Sequence, residues 1–554
     1  MRSELDRRYD EMLAKVTGRG GPLVIGSDEM GRAIVSNFPS TLPAFFRTFC
    51  AINGDKEALV AGDERLTFAD LDRISERLAQ ALVTKGVTKG DRVGIAMRNC
   101  PAWILAYMAI AKAGGVATLL NGWWQPHEME HAVGLTEPRL IIADDPRATR
   151  ISARCAGVDV VSLAVDRPIE EAVAPMTGDH HSAALPDVAL DDDATILFTS
   201  GSTGECKGAV STHRAVPAAT YAYATGLIVL RGLLEEDGRA PLTPPRTLLS
   251  VPLFHVTGEV PLMLNSFVIG RCMVVMAKWD AAEALRLIER ERITYFVGVP
   301  TMSLELLNHP ERDRFDLSSL KDITGGGAPR PVAHVERLRH EIPTAQPALG
   351  YGLTETNAAG CSNYWSNYAA KPASTGRPQR PFVEIGILDD DGGLLGAGQT
   401  GEIGIRSAAN VRGYWRDPDA TADLFTADGY VRTGDVGYLD DDGYLFIVDR
   451  KKDIIIRGGE NISAAEVEAA LYGCSRVAEA AVFGIPDDRL GEVPVAVVAL
   501  KEGEQMDEAA LSAFLEGRVA RFKLPAVIHI SPTPLPRLGT GKFDRPRLKA
   551  KYAR

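Results

Sequence analysis

The residues best suited to chemistry form one short segment, Ile196-Leu-Phe-Thr-Ser-Gly-Ser-Thr-Gly-Glu-Cys-Lys-Gly-Ala-Val210. An apolar run suited to a strand enters a loop dense in glycine and hydroxyl residues, which Lys207 and Gly208 close. Glycines let backbone N–H groups approach phosphate oxygens, the hydroxyls of Thr199, Ser200, Ser202 and Thr203 add donors, and Lys207 adds charge. Gly201 and Gly204 supply the close approach. The loop is not of the Walker type, which needs Gly-Lys-Ser/Thr; here Cys206 precedes the lysine and Gly208 follows it. A bare polar surface loop is the competing reading for such a cluster.

A second set of short segments follows in fixed order. Tyr351-Gly-Leu-Thr-Glu-Thr356 holds a carboxylate, Glu355, of the kind that ligates Mg²⁺ together with substrate phosphates. Tyr430-Val-Arg-Thr-Gly-Asp435 ends in a carboxylate able to accept two hydroxyl hydrogen bonds. Val448-Asp-Arg-Lys-Lys-Asp453 is a charge run, Arg457-Gly-Gly-Glu-Asn461 a glycine turn, and Pro534-Leu-Pro-Arg-Leu-Gly-Thr-Gly-Lys-Phe-Asp544 a loop with Lys542 at its tip. Each of these alone reads as a solvated turn.

Together they are specific. Phe198-Thr-Ser-Gly-Ser-Thr-Gly-x-x-Lys-Gly208 resembles the phosphate loop of the adenylate-forming superfamily, with Cys206 where the family usually has proline. The later motifs fall in that family's order over residues 196–544. The resemblance implies that Tyr351 and Gly352 flank the adenine, that Thr354 contacts phosphate, and that Glu355 is the magnesium ligand. It implies ribose contacts from Asp435 and Arg450, a hinge at Lys452, and Lys542 as the catalytic lysine of the first half-reaction. Gly458, Gly459 and Glu460 would approach the pantetheine arm of coenzyme A after the small domain swivels.

Two segments bear on the acid. Val251-Pro-Leu-Phe-His-Val-Thr-Gly258 resembles the acyl-pocket border, with His255 where amino-acid-activating relatives carry an aspartate. Thr324-Gly-Gly-Gly-Ala-Pro329 resembles a pocket wall in which Gly326, Gly327, Ala328 and Pro329 also approach the nucleotide. Three glycines here, with Gly352, imply a roomy and largely apolar pocket.

These segments need a scaffold. Helical apolar spacing predicts helices over Phe68–Lys85 and Pro101–Ala113, with strands at Arg92–Met97 and Leu140–Ala143, an alternation that implies α/β layers with a parallel sheet. Residues 230–246 read as an acidic, proline-rich surface loop, and 382–407 as a small β region. Ser463-Ala-Ala-Glu466 reads as a capping box opening a helix in a small α+β domain. The expected organisation is an appendage at 1–35, a large ATP- and acyl-binding domain at 36–449, and a mobile domain at 450–554.

Of 554 residues, 45% are hydrophobic and 24% charged, as in a globular protein, and the net charge of −12 argues against nucleic acid as a partner. No secretory signal and no apolar stretch of roughly 20 residues for a transmembrane segment is seen. Seven dispersed cysteines without a Cys-x-x-Cys pair suit reduced thiols and a cytoplasmic location. The expectation is an acyl-CoA synthetase that uses ATP, Mg²⁺ and coenzyme A on a medium- or long-chain fatty acid or similarly bulky hydrophobic acid. An aryl-acid ligase, delivery to a carrier protein and a non-catalytic nucleotide-binding module are the alternatives, and a homodimer is left open.

Overall fold

The computed structural model describes residues 2–178, 183–199, 206–241, 243–328, 330–451, 453–457, 460–487, 489–537 and 543–552. Two large sheets with helices form most of the chain. One has seven strands in the order Gly413–Tyr414, Lys207–Thr212, Asp193–Thr199, Val116–Leu119, Arg92–Ala96, Leu140–Asp144 and Asp159–Leu163. The other has nine strands; Arg246–Leu249, Tyr295–Gly298, Asp322–Gly325 and Gln346–Gly352 run parallel at its centre, and Gly360–Tyr364 joins antiparallel. The α/β expectation holds, and the reason is local: short Val/Ile/Leu runs alternate with amphipathic helices, the pattern of strands covered on both faces. The helix Pro101–Lys112 is buried at every position, as an all-round apolar helix must be. Its one charge, Lys112, is paired with Asp72 at 2.6 Å and Glu76 at 3.2 Å.

A four-stranded antiparallel sheet follows, Val383–Leu388, Gly401–Ser407, Val431–Leu439 and Leu445–Arg450, at the place the sequence marks as a β region. Beyond it lies an α+β unit with separate apolar clusters built on strands Val477–Asp487 and Gly491–Leu500. Ser463 does cap the helix Ala464–Tyr472, accepting from Glu466 N at 3.1 Å. The reciprocal half of the expected box is absent there, because the Glu466 carboxylate pairs with Lys523 instead.

Two stretches differ from the sequence reading. Residues 230–236 are not loop: the helix Ala215–Glu236 runs through them, since Leu230 and Leu233 are buried on its inner face. The first helix, Glu4–Thr17, is fastened to the large domain by Asp6, whose Oδ1 accepts from Tyr444 Oη at 2.9 Å, Arg377 at 3.1 Å and Asn367 at 3.1 Å. Asp10 adds a second link to Arg377, and Arg8 one to Asp237. Gly232 lets this helix lie close, because a Cβ there would sit 2.8 Å from Met12 Sδ. Among the described residues no helix is long and apolar enough to cross a membrane.

Asp6 joins Arg377, Tyr444 and Asn367 through one oxygen and is 3% exposed. Its removal takes one of two carboxylate partners from the half-buried Arg377 guanidinium. Asp6→Ala should destabilise the large domain by about 2–3 kcal/mol, read as a lower calorimetric midpoint and faster trimming of the N-terminal helix by protease. Unchanged values for both would mean that the helix is not docked through Asp6.

Candidate active site

The strand Asp193–Thr199 pairs antiparallel with Lys207–Thr212, placing Thr199 opposite Lys207 at the two ends of the phosphate-type loop. Ser200, Gly201, Ser202, Thr203 and Gly204 lie outside the described residues, as do Pro329, Lys452, Gly458, Gly459 and Lys542. Around the loop's exit, Lys207 Nζ lies 3.2 Å from Asp417 and 5.2 Å from the Tyr414 ring centre. Tyr414 in turn donates to Glu355 Oε1 at 2.7 Å. Burial and the Glu355 carboxylate both push the Tyr414 phenol upward, keeping it a neutral donor.

Glu355 stands in the short turn Thr354–Thr356 that leaves the end of the strand Gln346–Gly352. The turn is held by Asn357, a fully buried residue in left-handed backbone at φ +50°. Its amide donates to Ala409 O at 2.8 Å and its oxygen accepts from Ser211 at 3.0 Å, tying the nine-stranded sheet to the seven-stranded one. Thr354 is half-buried beside Glu355.

On the other side, Tyr351 Oη donates to Asp435 Oδ2 at 2.7 Å, and Arg450 Nε lies 3.0 Å from Asp435 Oδ1. Asp435 and Arg450 face each other across neighbouring strands. The Asp435 carboxylate is almost fully buried while its Arg450 partner is half exposed, so the guanidinium presents charge outward. Directly beyond, Asp449 accepts from Arg450 N and Ala465 N, and Ser463 donates to Val448 O, joining the last strand of the large domain to the first helix of the small one. Burial raises the Asp449 carboxyl, and these backbone donors oppose it. Glu460 opens the strand Glu460–Ile462, opposite Arg457.

His255 sits on a tight turn whose close approach explains Gly258: a Cβ there would lie 2.2 Å from Pro252 O. Asn99 holds the turn from outside, donating to Val251 O at 2.9 Å and accepting from Leu253 N at 3.0 Å. His255 Nδ1 accepts from Thr257 N at 3.3 Å.

The glycines do different jobs from those expected. A Cβ on Gly352 would lie 2.0 Å from Ala358 O, so this glycine serves a backbone contact and opens no channel. The space beside Gly325 is filled by the Arg330 guanidinium, 2.6 Å from its Cβ position, and Gly327 is needed for φ +73°. At Gly326 and Gly350 a Cβ would make only ordinary contacts, 3.7 Å from Gly350 O and 3.9 Å from Tyr223 Oη. The sheet face beside them carries polar side chains as well as apolar Val297 and Ala348. Strand register puts Tyr295, Thr324, Gly326, Gly350, Ser362 and Tyr364 on one sheet face, each half-buried, with Tyr223 of the covering helix opposite Gly350.

Sequence reasoning missed Tyr414, Asn357 and Asn99, and also an arginine cluster. Arg147, Arg150 and Arg154 line a cleft with Trp124 and Met129. Trp124 packs edge-on against Phe198, and His131 Nε2 lies 3.2 Å from Cys206 O, so the cleft adjoins both ends of the loop. The Arg-x-x-Arg-x-x-x-Arg spacing was a visible signal of one cationic helix face.

The chemistry of the arrangement is that of a nucleotide site with an adjoining pocket. Glu355 offers one carboxylate to a hard cation, and no group of three or more His, Cys, Asp or Glu able to hold a metal occurs among the described residues. A single protein carboxylate completed by nucleotide phosphates is the Mg²⁺ arrangement these residues fit.

Comparison with known proteins agrees with this geometry. Residues 46–415 match the AMP-binding enzyme family and residues 466–542 the AMP-binding enzyme C-terminal domain. The long-chain-fatty-acid–CoA ligase of Bacillus subtilis (strain 168) is 32% identical over 541 residues, covering 92% of this chain and 94% of the relative. A methyl-dioxo-octahydro-indenyl-propanoyl:CoA ligase of Mycobacterium tuberculosis (strain ATCC 25618 / H37Rv) is 35% identical over 525 residues, covering 92% and 98%. Among solved structures, ATP-bound MatB from Rhodopseudomonas palustris superposes with a TM-score of 0.81 at 28% identity, covering 93% of this chain and 99% of that one. On the family match over most of its length and on these full-length relatives, the chain belongs to the AMP-binding enzyme family.

Proposed function

We propose that this AMP-forming acid–CoA ligase activates a bulky, mainly hydrophobic carboxylic acid. The observation that carries the reading is the half-buried sheet face at Gly326 and Gly350, where no large side chain stands and the strand leads on to Tyr351 and Glu355. Relatives named for a long-chain fatty acid and for a dioxo ring-bearing propanoyl group agree with a roomy site.

ATP and coenzyme A are the co-substrates of an enzyme of this type. In the proposed reaction a carboxylate oxygen of the acid attacks the α-phosphorus of ATP, the bond to the β-phosphate oxygen breaks, and pyrophosphate leaves. Asp435 accepts the ribose hydroxyls, Arg450 stands beside them, and Tyr351 packs along the adenine with its hydroxyl fixed on Asp435. Lys207, Thr354 and Lys542 donate to phosphate oxygens as charge builds on them, the largest contribution a preorganised site makes. Glu355 would hold Mg²⁺, which when bound neutralises charge on the nucleotide phosphates. The Tyr414 hydroxyl keeps that carboxylate in place. His255, on its Asn99-pinned turn, borders the reacting carbonyl.

In the second step the thiolate sulfur of coenzyme A bonds to the acyl carbon and AMP leaves with the C–O bonding pair. The Arg147, Arg150 and Arg154 cleft suits the phosphates of a coenzyme A nucleotide, and Gly458, Gly459 and Glu460 suit its narrow arm. A division at residue 450, with rotation about Lys452, would exchange Lys542 for that glycine turn. Asp449, bonded to both sides of the junction, is placed to limit how the small domain starts to move.

Four outcomes test this reading. Purified protein should catalyse acid-dependent exchange of pyrophosphate into ATP that EDTA abolishes and Mg²⁺ restores; release of ADP in place of AMP would refute it. Lys542→Ala should lose that exchange by on the order of 10²-fold and still convert preformed acyl-AMP and coenzyme A to thioester. Asp435→Ala should raise KM for ATP on the order of 10²-fold through two lost charge-assisted bonds, with KM for the acid little changed; equal changes would remove Asp435 from the ribose. Gly350→Val should cut turnover of bulky acids and spare propionate, whereas Gly352→Ala should fail to fold because its Cβ meets backbone; identical acid profiles in Gly350→Val and the parent would place the acid elsewhere.

A further inference from the structure

The half-buried sheet face that carries Gly326 and Gly350 runs on through Ser362 to Tyr364. Tyr364 pairs with Ala348, four residues back along the strand from Gly352, which is about 13 Å at the usual strand rise. There the face meets an element that neither family model includes, the first helix. Tyr9 of that helix stacks on Tyr364 with ring centres 6.3 Å apart. Both hydroxyls point toward Gly226 of the long helix: a Cβ there would lie 3.0 Å from Tyr364 Oη and 3.4 Å from Tyr9 Oη.

The surroundings are rich in neutral hydrogen-bonding groups. Tyr364 has Ser362 as a side-chain partner, and Tyr295 has Thr324. Tyr9, by contrast, makes no hydrogen bond through its hydroxyl among the described residues, though it lies deep in the fold and stays half-buried. A ligand oxygen can take the place of water on such a hydroxyl. The charges further along are already matched. Arg271 donates to Ser266 Oγ and to the carbonyls of Pro261 and Leu262, lies over the Tyr295 ring at 4.6 Å, and is 1% exposed. Asp322 accepts from Trp365 Nε1 at 3.0 Å, and burial pushes its carboxyl up to about 6. With its donors so engaged, Arg271 is not available to a second anionic group at this end.

We propose that the first helix closes the far end of the acid cavity, and that Tyr9 and Tyr364 select acids carrying a neutral oxygen, hydroxyl or ketone, at the end remote from the carboxylate. Tyr9 donates to or accepts from that oxygen, and Tyr364 positions it. This rests on the reading that the Gly326–Gly350 space receives the acid, and it assigns a specificity role to residues 4–17, outside the matched 46–415.

The test uses the full chain and CoA-dependent AMP release with decanoic acid, its ω-hydroxy and (ω−1)-oxo derivatives, and decanedioic acid. The parent enzyme should favour the hydroxy or oxo acid over decanoic acid in kcat/KM by tenfold or more, as a site built to bond a substrate oxygen does. Tyr9→Phe keeps the ring stack and removes only the hydroxyl; it should abolish that preference while leaving decanoic acid unchanged within about twofold. Tyr364→Phe should weaken the preference in the same direction. Turnover of decanoic acid with no preference, a preference for decanedioic acid, or equal losses on all acids in Tyr9→Phe would overturn the inference and leave the ligase reading standing. Absence of AMP release with every acid, together with no pyrophosphate exchange, would instead remove the ligase reading on which it depends.

Discussion

The site depends on two carboxylates, each of which accepts a tyrosine hydroxyl from a different sheet. Tyr351, from the nine-stranded sheet, donates to Asp435 in the four-stranded one. Tyr414, at the edge of the seven-stranded sheet, donates to Glu355 at the end of the nine-stranded one. A hydrogen bond to an ionised acceptor contributes about 1.5–3 kcal/mol, enough to fix two sheet edges whose covalent connection is long. Together with the Asn357 bonds to Ser211 and Ala409 O, these contacts hold the Glu355 and Asp435 carboxylates in fixed relation to the strand that ends in Tyr351.

The same economy governs the backbone. Gly352 and Gly360 face each other at the end of paired strands, and a Cβ on Gly360 would lie 2.2 Å from Tyr351 O. The chain therefore folds back tightly enough to place Glu355 immediately after the strand that carries Tyr351. Asn357 in left-handed backbone completes the reversal, and its two side-chain bonds reach the opposite sheet. Close packing at Gly352 and Gly360 contrasts with the looser contacts at Gly326 and Gly350, which tyrosines of a helix and a sheet flank. One face of one sheet thus carries tight backbone contacts at its strand ends and small residues behind them.

At the other limit, the N-terminal helix and the small C-terminal unit attach in different ways. The first is fixed by a buried carboxylate with three partners, the second by backbone bonds around Asp449 and Ser463. Removing a buried charge partner is far more costly than rearranging a few bonds at a part-exposed junction.

Local features were legible in the sequence. Strands and helices such as Arg92–Ala96 and Phe68–Thr84 follow from apolar spacing, and the order of glycine, hydroxyl and acidic motifs was enough to identify the family, because each motif is contiguous. The assignments that failed or were missed involve partners far apart in the chain. Gly352 read as an open channel, and only the position of Ala358 shows that its Cβ direction is filled. The separation is 59 residues between Tyr414 and Glu355, and 146 between Ser211 and Asn357. Tyr9 and Tyr364 meet from positions 355 residues apart. By itself the sequence determined the motifs, the layered α/β class and the reaction type, since local spacing encodes these. Tertiary structure alone decided which glycine meets backbone and which hydroxyl is bonded to which carboxylate, because those depend on where distant side chains meet.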